Sequence, residues 1–156
     1  YRAIQGDDLP AITRLLEEHP SVVDVRAVLN LENMGPNGST VGEWVVTPVI
    51  FAVLTGRTEA TRILVDHGAD VNGVPTGPEG MTPLFAALVS TQPDPVLDYL
   101  MEKGADPFKK GRRTGITGLI LAASVDRVGA IRMMLSRPGA EEGVNVTDNV
   151  GLTALA

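Results

Sequence analysis

A frame of 35 to 36 residues recurs along this chain, and it constrains the fold more than any other feature. Four anchor threonines, Thr47, Thr82, Thr117 and Thr153, lie 35, 35 and 36 residues apart. The first frame reads TPVIFAVLTGRTEATRILVDHGADVN, and the later frames repeat its order of apolar, glycine and polar positions. A fixed period of this length is typical of stacked structural repeats, in which each unit contacts only its neighbours.

Each frame predicts two short helices joined by a glycine. The hydroxyl of Thr47 is placed to cap the first helix, and Pro48 follows at a position where a missing N–H costs nothing. Gly56 ends that helix, and Gly68 is expected to end the second helix in a left-handed conformation. The second helix carries an apolar stripe at helical spacing, formed by Ala60, Ile63 and Leu64. Such short helices are marginal alone in water, so each unit must stack on its neighbours.

This pattern resembles the ankyrin-repeat family. The similarity lies in the Thr-Pro start, the alanines of the first helix and the Gly-Ala-Asp turn, at Thr47-Pro48, Gly68-Ala69-Asp70-Val71-Asn72, Thr82-Pro83-Leu84, Ala86-Ala87, Gly104-Ala105-Asp106 and Ala122-Ala123. The resemblance implies an all-α fold, an ankyrin-repeat solenoid of stacked helix-turn-helix units with projecting β-hairpin-like fingers. We expect one domain over 1–156, with repeats at roughly 1–30 (partial), 43–77, 78–112, 113–148 and 149–156 (truncated), and an insertion at 31–43.

The fourth unit departs from the family pattern. Gly118 replaces the proline of the other units, and Pro138 disturbs the Gly-Ala-Asp position. We therefore expect its second helix, with Asp126 as the cap, to end less regularly. Residues 139–152 are predicted to form a finger with a tight turn.

An excess of about 15 residues separates the first and second units. It falls in the stretch LENMGPNGSTVGEW, whose centre consists of turn-forming residue types. We interpret residues 31–43 as an extended finger or loop. It is either a tolerated surface insertion or an added binding element, since long loops in compact domains are often functional.

Composition excludes several classes of protein. A chain with 44% apolar and 21% charged residues is globular, and its net charge of −6 argues against a surface-wide nucleic-acid binder. Without cysteine it has no disulfide, thiol nucleophile or thiolate zinc site. No apolar run approaches a membrane span, so no membrane insertion is expected. We expect an intracellular, cytoplasmic or nuclear, monomeric fragment of a longer protein, because the chain starts in mid-pattern at Tyr1.

Residues suited to catalysis are few. The two histidines, His19 and His67, fall at the ends of second helices in different units. Asp66, His67 and Asp70 could be drawn as a metal cluster, but Asp70 belongs to the repeated turn, which the family uses structurally. No Gly-x-Ser-x-Gly elbow and no phosphate-binding loop occur. The sequence therefore predicts no catalytic residue, no cofactor and no metal, and a protein that is not an enzyme.

Two features are candidate binding elements. Lys109, Lys110, Arg112 and Arg113 place four basic residues within five positions. They form either a solvated finger tip or a patch for an acidic peptide or a phosphate, because arginine binds carboxylates bidentately. Trp44, the only tryptophan, is either an exposed interface anchor or a residue packed beneath the insertion.

The family resemblance implies a protein-interaction module that binds a protein or peptide partner on a concave surface of fingers and first helices. The matching residues are Glu43, Trp44, Val46, Leu54 and Thr55 in the second unit, Glu79, Met81, Val89, Ser90 and Arg112 in the third, and Arg113, Ile116, Ser124 and Val125 in the fourth, with Pro78, Thr114, Asn149, Val150 and Leu152 as further members. The alternative hypothesis is a targeting or regulatory domain of a larger enzyme, channel or effector.

Overall fold

The computed structural model of the protein describes residues 1–30, 43–75, 80–90, 95–112 and 114–155. Within them the elements are, in chain order, α1 (Arg2–Gln5), α2 (Leu9–Glu18), a 3₁₀ helix (Pro20–Asp24), β1 (Ala27–Asn30), β2 (Glu43–Val46), α3 (Pro48–Leu54), α4 (Thr58–Asp66), α5 (Pro83–Val89), α6 (Pro95–Glu102), α7 (Gly118–Ser124), α8 (Val128–Leu135) and α9 (Ala140–Gly143). The predicted all-α fold of stacked helix-turn-helix units is confirmed. The boundaries of the individual repeats stay a prediction.

The helices form two stacked layers. The first helices pack in the order α1, α3, α5, α7, and the second helices α2, α4 and α6 pack in the same order behind them. Small and branched apolar side chains fill the space between the layers, and the large side chains that are almost fully buried include Val49, Ile50, Leu64, Leu84, Leu100, Leu119 and Met134. The core therefore runs continuously from one unit to the next, as expected for units that cannot bury their apolar faces alone.

The anchor threonines begin the first helices in two different ways. The hydroxyl oxygens of Thr82 and Thr117 accept hydrogen bonds from amides three residues further on, at 3.1 and 3.2 Å. The cap predicted for Thr47 is wrong, because its buried hydroxyl makes no hydrogen bond with any described residue. In the first unit Asp8 caps α2 by accepting from the amide of Ala11 at 3.1 Å.

Left-handed residues separate the helices as predicted for the second unit. Gly56 and Gly68 have φ angles of 71° and 93°, a conformation that glycine adopts without a Cβ clash. Asp126 has a φ of 56° and occupies the turn position that Gly56 fills in the second unit. The prediction that Asp126 caps α8 is therefore wrong, and Arg127 is the residue that precedes this helix.

The fourth unit ends with a short helix that the sequence did not predict. We expected a finger over 139–152, but its first part forms α9. Gly139 turns the chain with a φ of 83°, and a Cβ on Gly143 would overlap the Phe108 ring. The predicted tight turn follows, with the carboxylate of Asp148 accepting hydrogen bonds from two amides at 2.9 Å.

A two-stranded hairpin flanks the predicted insertion. Strands β1 and β2 are antiparallel, and Ala27 pairs with Val46. The Tyr1 hydroxyl donates towards the carbonyl oxygens of Val25 and Val46, at 2.9 and 2.7 Å. Burial raises the pKa of Tyr1 to about 12. The hairpin is thus bonded to the first unit, while residues 31–42 between its strands lie outside the described residues.

Candidate functional site

The ends of the first helices form a row across the stack. Leu54, Val89 and Ser124 lie seven residues after their anchor threonines, and Thr55, Ser90 and Val125 lie eight residues after them. Because α3 packs on α5 and α5 packs on α7, equivalent positions lie beside each other. We call these six residues the first-helix surface.

Two valines make the first-helix surface apolar. Val89 and Val125 are 45% and 44% exposed. Ser124 is also exposed, while Leu54, Thr55 and Ser90 are half-buried. Single exposed apolar residues are ordinary on a protein surface, but these two occupy adjacent units at matching ends of α5 and α7.

The hydroxyl groups of this surface are occupied by their own helices. Thr55 Oγ1 donates to the carbonyl oxygen of Phe51 at 2.7 Å, and Ser124 Oγ donates to that of Leu121 at 2.8 Å. Ser90 Oγ likewise donates to the carbonyl oxygen of Ala87 at 3.2 Å. Each hydroxyl hydrogen is used within its own helix, so a partner would meet mainly apolar contact here.

Arginines brace the stack behind this row. Arg57 Nη2 donates to the carbonyl oxygen of Gln5 at 2.9 Å, and Arg127 Nη2 donates to that of Ser90 at 2.6 Å. Both arginines satisfy a carbonyl near the end of a preceding first helix, where no intrahelical partner exists. These positioning residues were missed from the sequence. The available signal was their shared place directly after the left-handed turn residue.

Two residues expected to face a partner are buried instead. Val46 is 0% exposed and Met81 is 5% exposed. Each directly precedes an anchor threonine, and its side chain packs in the core between units. We therefore remove both from the candidate surface, while Ile116 at the same position of the fourth unit stays half-buried.

The finger residues have mixed positions. Glu43 and Trp44 belong to β2, where their backbones pair with Asn30 and Leu29, and their side chains lie outside the described residues. The predicted partner-facing residues Pro78, Glu79 and Arg113 also lie outside the described residues. Arg112, Thr114, Asn149, Val150 and Leu152 are exposed.

Asp66 and Asp70, which could be drawn as part of a metal cluster, both accept hydrogen bonds within the fold. Lys103 Nζ donates to Asp66 Oδ1 at 2.7 Å and the Tyr99 hydroxyl donates to it at 2.9 Å, which together lower the pKa of Asp66. Asp70 Oδ1 accepts from the amide of Asn72 at 2.8 Å. His67 Nδ1 lies 2.8 Å from the carbonyl oxygen of Ile63 at the end of α4. Within the described ranges, no three His, Cys, Asp or Glu residues are grouped as a metal site.

A cleft of about 180 Å³ lies beside the start of α3 and the turn that follows α4, and it is lined by Asp24, Arg26, Thr47, Asp70, Gly73, Val74 and Pro75. Its two carboxylates are used within the fold, because Asp24 Oδ1 accepts from the amide of Asp70 at 3.3 Å and Asp70 accepts from Asn72. The Thr47 hydroxyl oxygen is itself buried rather than open to the cleft. The cleft therefore presents no converging reactive groups.

Comparison with known proteins adds one match. A family model described as ankyrin repeats, in three copies, matches residues 1–111. No curated protein matches the chain. Among the described helices, none has the length and apolar character needed to cross a membrane.

Proposed function

Because this chain belongs to the ankyrin-repeat family, we propose that it binds a protein or peptide partner through the first-helix surface and the adjoining fingers. Ankyrin repeats are generally protein–protein interaction modules, and the fold is generally non-enzymatic. The proposal for this chain concerns which of its residues make the contact.

The exposure of Val89 and Val125 is the observation that carries this proposal. Both valines lie in a layer whose other apolar residues are mostly buried, for example Leu84 and Leu119 at 1% and 2% exposed. Covering the valines would remove apolar surface from water, which stabilises most protein complexes. The bond from Arg127 to the carbonyl oxygen of Ser90 holds the end of α5 beside Val89, so little conformational entropy is lost there when a partner binds.

A pull-down with matched variants tests the proposal. We expect Val89→Asp combined with Val125→Asp to reduce partner capture on the order of tenfold or more, because each charge would be desolvated against the partner. Since both positions are about half exposed, the variant should keep the helical circular-dichroism spectrum of the parent. Capture is quantified by mass spectrometry of the bound proteins.

The control is Leu15→Asp combined with Leu135→Asp. These leucines lie on second helices and are 50% and 43% exposed, so the control introduces the same charge at similar exposure. Proteins lost by the valine variant and kept by the control bind the first-helix surface. Equal capture by the parent and both variants would show that the partner binds elsewhere.

The hypothesis of a targeting or regulatory domain in a larger enzyme, channel or effector uses the same surface. It stays a proposal, as do a monomeric state and a cytoplasmic or nuclear location. The flanking sequence distinguishes these possibilities, because a neighbouring catalytic or membrane-spanning segment would support a regulatory domain.

A further inference from the structure

We infer that the finger between the third and fourth units is a preorganised site for carboxylate side chains of a polypeptide partner. This inference rests on the proposed function, because it names the chemistry of the partner segment that the first-helix surface would hold. We call residues 107–116 the basic finger, and the site consists of its described cations Lys109, Lys110 and Arg112.

The described cations of the basic finger form no ion pair with a described carboxylate. The chain carries a net charge of −6, yet these three cations lie within four positions and are all exposed. Ion pairs elsewhere in the described part of the chain include Arg57–Asp7, Arg62–Glu59 and Lys103–Asp66. A concentrated charge of one sign attracts ligands of the opposite sign and speeds their association.

Hydrogen bonds fix Lys109 and the turn just before the basic finger on the preceding unit. Lys109 Nζ donates to the carbonyl oxygen of Asn72 at 2.7 Å. The side chain of Asn72 donates to the carbonyl oxygen of Gly104 at 2.9 Å and accepts from the amide of Asp106 at 2.8 Å. Residues 104–109 therefore cannot move away from Asn72 without breaking these three hydrogen bonds between units.

Backbone hydrogen bonds join residues of the second half of the basic finger to one another and to the turn near Asn149. The amide of Gly111 donates to the carbonyl oxygen of Ile116 at 2.9 Å, and the amide of Gly115 donates to that of Gly111 at 3.1 Å. The amide of Asn149 donates to the carbonyl oxygen of Thr114 at 2.9 Å. Lys110 and Arg112 thus project from a backbone held on both sides, which distinguishes them from cations on a freely moving tip and lowers the entropy cost of binding.

Carboxylates of a polypeptide fit this finger better than a nucleic-acid backbone does. A duplex presents phosphates along its whole length, and most of a surface with a net charge of −6 would repel them. The guanidinium of Arg112 can bind one carboxylate with two hydrogen bonds. Exposed Val89 and Val125 supply apolar contacts on the first helices, which suits a segment that carries both acidic and apolar residues.

Selection from a phage-displayed random peptide library on the 156-residue chain tests the inference. We expect enriched peptides to combine Asp or Glu with apolar residues, and their affinity to fall as salt is added. Lys110→Gln combined with Arg112→Gln should weaken the best peptide on the order of tenfold in fluorescence anisotropy. The control, Arg14→Gln combined with Arg132→Gln, alters exposed cations on second helices and changes the net charge equally, so it should leave affinity unchanged.

Several results would overturn the inference. These are a selection that yields no binder, enriched peptides without acidic residues, or equal weakening by the two glutamine variants. Tighter binding of a DNA oligonucleotide, lost in the Lys110 and Arg112 variant, would also overturn it and indicate a phosphate ligand. If Val89→Asp with Val125→Asp abolishes partner capture while the Lys110 and Arg112 variant does not, the proposed function survives and the acidic partner does not.

Discussion

One position near the end of each second helix is occupied by Val65, Met101 and Leu135 in successive units. Alanine substitution at this position compares the loss of stability at a buried site with the loss at an exposed one. Val65 and Met101 each lie three residues before a left-handed glycine, and Val65 and Leu135 each lie eight residues after an arginine brace. Their exposed fractions are 9%, 1% and 43%. Among the described helices, α4 is followed by a second helix that packs on it, α6, whereas α8 is followed by the short helix α9.

Met101→Ala and Leu135→Ala remove equal numbers of heavy atoms, but they should lower the free energy of unfolding by different amounts. Met101→Ala leaves a closed cavity, and such core changes lower the free energy of unfolding by about 2–5 kcal/mol. Leu135→Ala removes atoms that are already partly in water and leaves no closed cavity. We expect a loss of about 1 kcal/mol or less, since alanine's higher helix propensity offsets part of the lost contact.

Urea unfolding followed by circular dichroism measures both free energies, and thermal melts give a second reading. At about 2–4 °C per kcal/mol for a chain of this size, Tm should fall by about 6–12 °C for Met101→Ala, taking a loss near 3 kcal/mol. For Leu135→Ala it should fall by less than about 4 °C. Equal losses in the two variants would refute the idea that stacking between units supplies most of the stability.

Two further predictions concern packing and pH. Gly143→Ala should destabilise the chain by about 1–3 kcal/mol, because the new Cβ would displace the Phe108 ring. The control, Gly129→Ala in α8, adds a Cβ where no atom lies nearby and should raise Tm slightly. Equal melting curves for the two variants would contradict this. Burial raises the pKa of Tyr1 to about 12 and also raises the pKa of Tyr99, so the stabilisation from Tyr1 is fully present below its ordinary pKa of 10.0 and is lost as pH rises towards 12. Ultraviolet absorbance titration should show tyrosinate forming at higher pH in the native than in the denatured chain, and superimposed curves would contradict it.

The helix pairs could be predicted because their signals are local and repeated. Pro48 and Pro83 mark helix starts, while Gly56 and Gly68 mark left-handed turns that few other residues adopt. Each signal lies within one unit, and its recurrence fixes the period. The stacking order then follows, because short apolar helices need neighbouring units.

Features that depend on contacts between units were not predictable in the same way. The burial of Val46 and Met81 depends on which side of the finger faces the core, which no single-unit pattern decides. Helix α9 depends on Phe108 packing against Gly143, 35 residues away. The sequence predicts Asp126 as a cap because aspartate favours the residue before a helix. In the structure Asp126 instead occupies the turn between α7 and α8 with a left-handed backbone, which aspartate tolerates.

The candidate site was predictable in position but not in detail. The family resemblance implies partner-facing residues at the ends of the first helices, and matching each unit to the family pattern led to Val89 and Val125. Their exposure, and the arginine bonds from Arg57 and Arg127 behind them, required coordinates, because these bonds join residues 52 and 37 positions apart.

Hydrogen–deuterium exchange, with and without a partner recovered in the pull-down, tests most directly whether first helices bind while second helices only support them. We predict slower exchange in the bound state at the ends of α3, α5 and α7 and in the basic finger, with little change in α4, α6 and α8. Slower exchange confined to α4, α6 and α8 would contradict this assignment.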